Sequence, residues 1–164
     1  MTATFQIAAA RTAADMVTAS RLFEHYASVL PVPLDYQDFA SELAGLPGKY
    51  AAPAGAILLA RDRGGDAVGC VGLRPLADPG CCEMKRLFTL PQTRGTGLGR
   101  LLAEAAVAQA RALGYAQLRL DTLPTMTAAI GLYARLGFEP IAPYYAPTPP
   151  GTLFMALTLQ LSRD

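Results

Sequence analysis

Several features that would point to other classes of protein are missing from this sequence of 164 residues. Charged residues make up 16% of the chain and the net charge is +1, so it lacks the strongly basic composition of many nucleic-acid-binding proteins. No apolar run approaches the ~20 residues of a membrane-spanning helix, and the N-terminus lacks the pattern of a signal peptide. We therefore expect a cytoplasmic protein with neither a nucleic-acid nor a membrane partner.

The chain is also poor in residues that bind metals or form disulfide bonds. It has three cysteines, Cys70, Cys81 and Cys82, and a single histidine. An odd number of cysteines without a secretion signal favours reduced thiols, and no C-x-x-C spacing occurs. The adjacent pair Cys81 and Cys82 could ligate a metal ion, but we favour a buried or half-buried strand there and predict no metal site.

What the sequence does contain is a large apolar fraction, 52% of residues, in a chain long enough to bury a core. The spacing of these residues predicts a strand, two helices, three strands, a helix, a strand, a helix and two strands. We expect strands at 3–10, on both sides of a turn at 62–66, and at 81–90, 116–121, 138–145 and 152–161, with helices at 12–30 and 35–46, from Gly97 to Gly114, and from Pro124 or Thr125 to Gly137.

A strand–helix–strand unit among antiparallel neighbours implies a mixed sheet with helices packed on it. The predicted fold class is therefore α/β (α+β), with a mixed, mostly antiparallel central sheet of six to seven strands flanked by about four helices. We expect one domain that spans residues 1–164.

A glycine-rich turn joins the strand at 81–90 to the helix that begins near Gly97. The segment RGTGLGR at 94–100 holds three glycines at alternate positions between Arg94 and Arg100. A helix N-terminus presents unpaired amides and a partial positive charge, and glycines let the backbone approach an anion closely. The pattern favours a phosphate-binding turn over a loop that only reverses the chain.

Two common phosphate-binding patterns fit this turn poorly. A Walker A loop ends in Gly-Lys-Ser/Thr, whereas this turn ends Gly99-Arg100-Leu101. In the dinucleotide pattern G-x-G-x-x-G, Gly95 and Gly97 fit, and Asp121 closes the next strand at about the distance, roughly 20 residues, of a ribose-binding acid. However, the third glycine comes one place early, and Arg100 stands where a small residue is required.

The spacing Arg/Gln-x-x-Gly-x-Gly/Ala does fit, at residues 94–99, and with it the sequence resembles the GCN5-related N-acetyltransferase (GNAT) family. EMKRLFTLP at 83–91 is similar to that family's central strand, and GLYARLGFEP at 131–140 to its second signature. The resemblance is good over residues 55–140 and extends to the N-terminal helices by the order of elements. It implies an acyl-CoA N-acyltransferase fold and transfer of the acetyl group of acetyl-CoA to a primary amine.

In that family, the amides of the turn hold the pyrophosphate of acetyl-CoA, and the central strand binds the pantetheine arm. The resemblance therefore assigns binding of acetyl-CoA to the backbone of Leu87, Phe88, Thr89, Arg94, Gly95, Thr96, Gly97, Leu98, Gly99 and Arg100. Many relatives carry an asparagine early in the next helix, where this chain has Met126. Thr125 or Thr127 could replace that contact with the cofactor, or the contact is missing.

Acetyl transfer requires a neutral amine, a hydrogen-bond donor for the carbonyl oxygen and a proton for the departing thiolate. By resemblance, Tyr133 of the second signature supplies that proton; by its spacing alone, Tyr133 would be a core residue. Glu83 matches the base of the family's histone-acetylating members; otherwise it would be a surface carboxylate paired with Lys85 or Arg86. A backbone amide near Phe88 is the expected donor to the oxygen.

The acceptor is expected to bind between the N-terminal helices and the last hairpin. Polar and aromatic residues there are His25, Tyr26, Tyr36, Asp38, Tyr144 and Tyr145. We interpret Tyr26, Tyr144 and Tyr145 as substrate-binding, with aromatic packing as the alternative, and prefer a small-molecule or amino-acid-like amine. A non-catalytic acyl-CoA sensor, a peptide or protein amine as acceptor, and a homodimer through the final strands all stay open.

Overall fold

One sheet of seven strands forms the centre of the protein in a computed structural model that describes residues 4–34 and 38–159. The strands lie in the order β1-β2-β3-β4-β5-β7-β6, and every neighbouring pair is antiparallel except the parallel pair β4–β5. This confirms the predicted mixed, mostly antiparallel sheet. The strands are β1 (Gln6–Ala9), β2 (Ala56–Arg61), β3 (Ala67–Pro75), β4 (Cys81–Thr89), β5 (Gln117–Thr122), β6 (Glu139–Ile141) and β7 (Leu153–Thr158).

Helices cover both faces of the sheet. They are α1 (Ala13–Val29), α2 (Phe39–Ala44), α3 (Leu98–Ala112) and α4 (Thr127–Arg135). The start of α1 is fixed by a capping box, in which Thr12 Oγ1 accepts from the Asp15 amide at 3.1 Å and Asp15 Oδ2 accepts from the Thr12 amide at 3.2 Å. Within the described residues, no helix has the length and apolar content needed to cross a lipid bilayer.

The core has one apolar layer on each side of the sheet. On one side α3 buries Leu98, Leu102 and Ala106 against the strands, and on the other α1 buries Leu22 and Phe23. Each large side chain buried in this way stabilises the fold by roughly 1.5–3 kcal/mol. Cys70, Cys81 and Cys82 are buried free thiols on β3 and β4, in agreement with the predicted buried strand.

Most predicted boundaries lie within a few residues of those in the structure, and three elements show how they differ. The strand predicted at 138–145 ends at Ile141, because Pro143 has no amide to continue the ladder, so Tyr144 and Tyr145 lie in the loop that leads to β7. Helix α4 begins at Thr127 rather than at Pro124 or Thr125, and α2 covers only Phe39–Ala44. Tyr36 and the outermost predicted residues of the first and last strands lie outside the described residues.

Candidate active site

The two central strands separate after a short stretch of pairing. β4 and β5 pair only at Cys81–Gln117, Cys82–Leu118 and Glu83–Arg119, although both strands continue further. On its other side, β4 is bulged against β3, and Arg86 at this irregularity has a φ of 61°. Past Glu83, the edge of β4 that would face β5 therefore borders a cleft instead of a partner strand.

Side chains from α1, β4, β5 and α4 line this cleft. The predicted residues Tyr26, Leu87 and Tyr133 are among them, and so is Met126. The charged groups of the lining come from Lys85, Arg86 and Asp121. The cleft thus brings together the backbone of β4, two tyrosines and a compact set of charges.

The glycine-rich turn lies between β4 and α3, and its backbone is shaped by glycines. Gly95 and Gly97 have φ values of 80° and 82°, a conformation that side chains rarely adopt. Two amides of the turn are used within it: the Arg94 amide donates to the Pro91 carbonyl and the Thr96 amide to the Thr93 carbonyl, both at 3.2 Å. A third, from Leu98, makes a long bond of 3.4 Å to Thr96 Oγ1.

The remaining amides at the start of α3 are available to a ligand. In the described part of the chain, the hydrogen bonds of this turn leave the amides of Gly95, Gly97, Gly99 and Arg100 without a protein acceptor. A Cβ atom placed on Gly99 would meet no atom within 4 Å, so the space beside this amide is open. Such a set of amides at a helix N-terminus is suited to bind an anion.

Tyr133 stands in the cleft as a protonated phenol. It is 7% exposed on α4, its ring lies 5.7 Å from that of Phe138, and its side chain lines the cleft. Burial, helped by nearby Tyr26 and Asp121, raises the pKa of Tyr133 above its ordinary value. The phenol therefore keeps its proton at neutral pH and can donate it.

Of the two ion-pair partners predicted for Glu83, Lys85 lies at the limit of contact and Arg86 is not a partner. The Glu83 side chain is 1% exposed, Oε1 lies 2.9 Å from Arg74 Nε, and Oε2 accepts from the Tyr144 hydroxyl at 2.5 Å. Lys85 Nζ is 4.0 Å away, and Arg86 instead forms an ion pair of 2.9 Å with Glu42 of α2. Both carboxylate oxygens of Glu83 are therefore bound by donors of the protein.

A second carboxylate, Asp121, was considered from the sequence only as a ribose ligand. Its side chain is 6% exposed at the end of β5; Oδ1 accepts from Lys85 Nζ at 3.2 Å and Oδ2 from the Tyr145 hydroxyl. Burial lowers the pKa of Lys85, and the charges of Asp121 and Glu83 oppose that shift. The alternation along β5 places Arg119 and Asp121 on one face of the strand. This pattern could have indicated which face of the sheet the Asp121 side chain lies on.

The predicted acceptor-binding tyrosines occupy different positions. Tyr26 lines the cleft, and its ring lies 6.3 Å from that of Phe88. Tyr144 and Tyr145 pack edge-on against Phe154, with ring centroids 5.0 and 5.3 Å away, and their hydroxyls donate to Glu83 and Asp121. The pair therefore fastens the loop before β7 to the two central strands.

Comparison with known proteins decides the family. Residues 19–138 match the family model described as the Acetyltransferase (GNAT) family. The chain belongs to the GNAT family. This GNAT protein is 39% identical over 153 residues to an uncharacterized N-acetyltransferase from Schizosaccharomyces pombe, an alignment that covers 93% of this chain and 94% of that one.

Solved structures share the fold of this GNAT protein. A GNAT acetyltransferase from Staphylococcus aureus superposes with a TM-score of 0.78 at 20% identity, covering 96% of this chain and 100% of that one. A protein from Salmonella typhimurium, solved with acetyl-CoA as its cofactor, gives a TM-score of 0.68 at 20% identity, with 98% and 96% covered. The predicted family, its fold and acetyl-CoA-dependent acyltransferase activity are thereby confirmed.

Proposed function

We propose that this GNAT acetyltransferase transfers the acetyl group of acetyl-CoA to the primary amine of a small molecule or amino-acid-like acceptor, by direct attack. The observation that carries the proposal is the cleft at which β4 separates from β5. It presents the edge of β4 together with the Tyr133 phenol, and the strand leads into the turn with available amides. These are the parts that an acyl-CoA and an acceptor would need.

The turn and the strand fit the two polar parts of acetyl-CoA. The amides of Gly95, Gly97, Gly99 and Arg100 would bind the pyrophosphate, since they have no protein acceptor in the described part of the chain. The backbone of residues 87–89 would bind the pantetheine arm as an added strand. Met126 lines the cleft, and its side chain has no amide, so Thr125 or Thr127 would replace the usual asparagine contact or the contact is missing.

The chemistry then follows from where the side chains lie. The neutral amine attacks the thioester carbonyl; a C–N bond forms, the C–S bond breaks, and the thiolate takes the Tyr133 proton. An amide near Phe88 would stabilise the oxyanion. Glu83 is the base that the family resemblance implies. Since its Oε2 is bound by Tyr144, the amine proton would pass to Tyr144 as Tyr144 passes its own to Glu83.

The test is release of free thiol from acetyl-CoA by the purified protein with a panel of primary amines, amino acids and short peptides. Turnover with small amines supports the proposal, and turnover with peptides alone would instead favour a peptide acceptor. Calorimetric binding of acetyl-CoA without turnover across the whole panel would favour a non-catalytic sensor.

A further inference from the structure

The carboxylate that faces the cleft is that of Asp121. Among the described residues of the lining it is the acidic one, and it shares this cleft with Tyr133. The two groups are close enough for the charge of Asp121 to contribute to the raised pKa of Tyr133. An acceptor amine that reacts at a thioester beside Tyr133 would therefore come close to Asp121.

The other buried carboxylates are committed to guanidinium groups. Glu83 is bound by Arg74 at 2.9 Å, and Glu42 by Arg86 at 2.9 Å. The contacts of Asp121 include the Lys85 ammonium and the Tyr145 hydroxyl. A carboxylate has about four acceptor positions, so an acceptor ammonium would donate to Asp121 beside these side chains or in place of one of them.

We infer that Asp121 binds the ammonium group of the acceptor and makes the enzyme selective for amines that enter the cleft as cations. The inference rests on the proposed function. Lys85 Nζ, 3.2 Å from Asp121 Oδ1, holds the carboxylate in place and adds a second positive charge nearby. Asp121 favours the ammonium form of the bound amine, and repulsion from Lys85 partly offsets that effect. The amine must still lose a proton before it attacks, and Tyr144 with Glu83 would accept it.

The experiment compares two acceptors of nearly equal shape, ethylamine and 2,2,2-trifluoroethylamine, at pH 7. Ethylamine is a cation there, whereas its fluorinated analogue is largely neutral. Asp121→Asn keeps the shape of the side chain and removes its charge. In this variant, we expect the ratio of kcat/KM for ethylamine to kcat/KM for trifluoroethylamine to fall roughly 30-fold or more, because a buried charge partner of the cation is lost. The fall should come mainly from a higher KM for ethylamine.

Asp66→Asn makes the same chemical change in the exposed β2–β3 turn and should leave the ratio unchanged. Because Asp121→Asn removes the closest charged partner of the buried Lys85, a second variant, Lys85→Met with Asp121→Asn, removes both charges. It should unfold at a higher temperature than the single variant and still lack the preference for ethylamine.

The outcomes separate this inference from the proposed function. If the wild type releases thiol with neither these amines nor any other acceptor in the panel, both fail. If the wild type turns over ethylamine and Asp121→Asn keeps the same ratio, the inference is wrong and acetyl transfer to a small amine stands. A change confined to kcat, equal for both acceptors, would also overturn selection by charge.

Discussion

Replacing Gly99 by alanine should make the protein more stable and a weaker binder of acetyl-CoA. Gly99 is the second residue of α3, its φ is outside the left-handed region, and an added Cβ meets nothing within 4 Å. Alanine is favoured over glycine in a helix by about 0.5–1 kcal/mol. For a chain of this length, that gain corresponds to a rise of roughly 1–4 °C in the Tm of the unliganded protein.

The same methyl group would stand in the space through which a phosphate oxygen reaches the amides of α3. Loss of one hydrogen bond to a charged group costs about 1.5–3 kcal/mol, which corresponds to a rise of roughly 10- to 100-fold in the KM for acetyl-CoA. Thermal unfolding without ligand measures the change in Tm. Steady-state kinetics measures the KM for acetyl-CoA, and calorimetry measures the binding of coenzyme A.

Gly64→Ala is the matched control for this experiment. Gly64 lies in the exposed β2–β3 turn, where an added Cβ would be 3.4 Å from Asp62 Oδ1. This variant should leave the KM for acetyl-CoA unchanged. A Gly99→Ala protein that gains stability and binds coenzyme A as tightly as the wild type would refute the assignment of the pyrophosphate to these amides.

Further predictions concern three single side chains. Tyr133→Phe should lower kcat by about 100-fold or more while calorimetry finds nearly unchanged binding of acetyl-CoA, because the lost group is a proton donor; equal turnover would remove Tyr133 from the mechanism. The raised pKa of Tyr133 also keeps its phenol protonated. The pH profile of kcat should therefore show no alkaline limb from Tyr133 below pH 10.0, its ordinary pKa. Glu83→Gln should lower kcat/KM for the acceptor, because the proposed proton acceptor is lost, and an unchanged kcat/KM would point to another proton acceptor. Burial raises the pKa of Cys82 to about 12, so this thiol should react with a disulfide reagent at pH 8 only after unfolding, and rapid labelling of the folded protein would contradict its burial.

Local patterns in the sequence predicted the helices and strands well, because contacts between residues close in the sequence determine where many of these elements begin and end. Thr12 caps α1 through contacts within one turn, and the positive φ of Gly97 and Gly114 marks both ends of α3. Periodicity is less reliable for individual positions. The helical spacing of Leu98, Leu101, Leu102 and Ala105 predicts one apolar stripe on α3, but Leu101 is 43% exposed. The helix presents a narrower buried face than the sequence pattern indicated.

The partners of the buried charges could not be predicted in this way. Arg86 pairs with Glu42, 44 residues earlier, because α2 lies against β4. The bond from Tyr144 to Glu83 spans 61 residues and depends on the chain leaving β6 at Ile141. Such pairings are set by the packing of distant elements, whereas alternation along a strand reveals only which side chains share a face.

The gap between β4 and β5 couples the stability of the fold to its ligand. Where the strands diverge, peptide groups at the heart of the sheet need hydrogen-bonding partners from outside the chain, either water or a molecule that mimics a strand. A ligand that fills this gap and binds only the folded state, at 100 times its Kd, would add about 2.7 kcal/mol to the free energy of unfolding. Resistance to heat and proteolysis would then follow the supply of the thioester, so that the amount of intact enzyme tracks the availability of its own co-substrate.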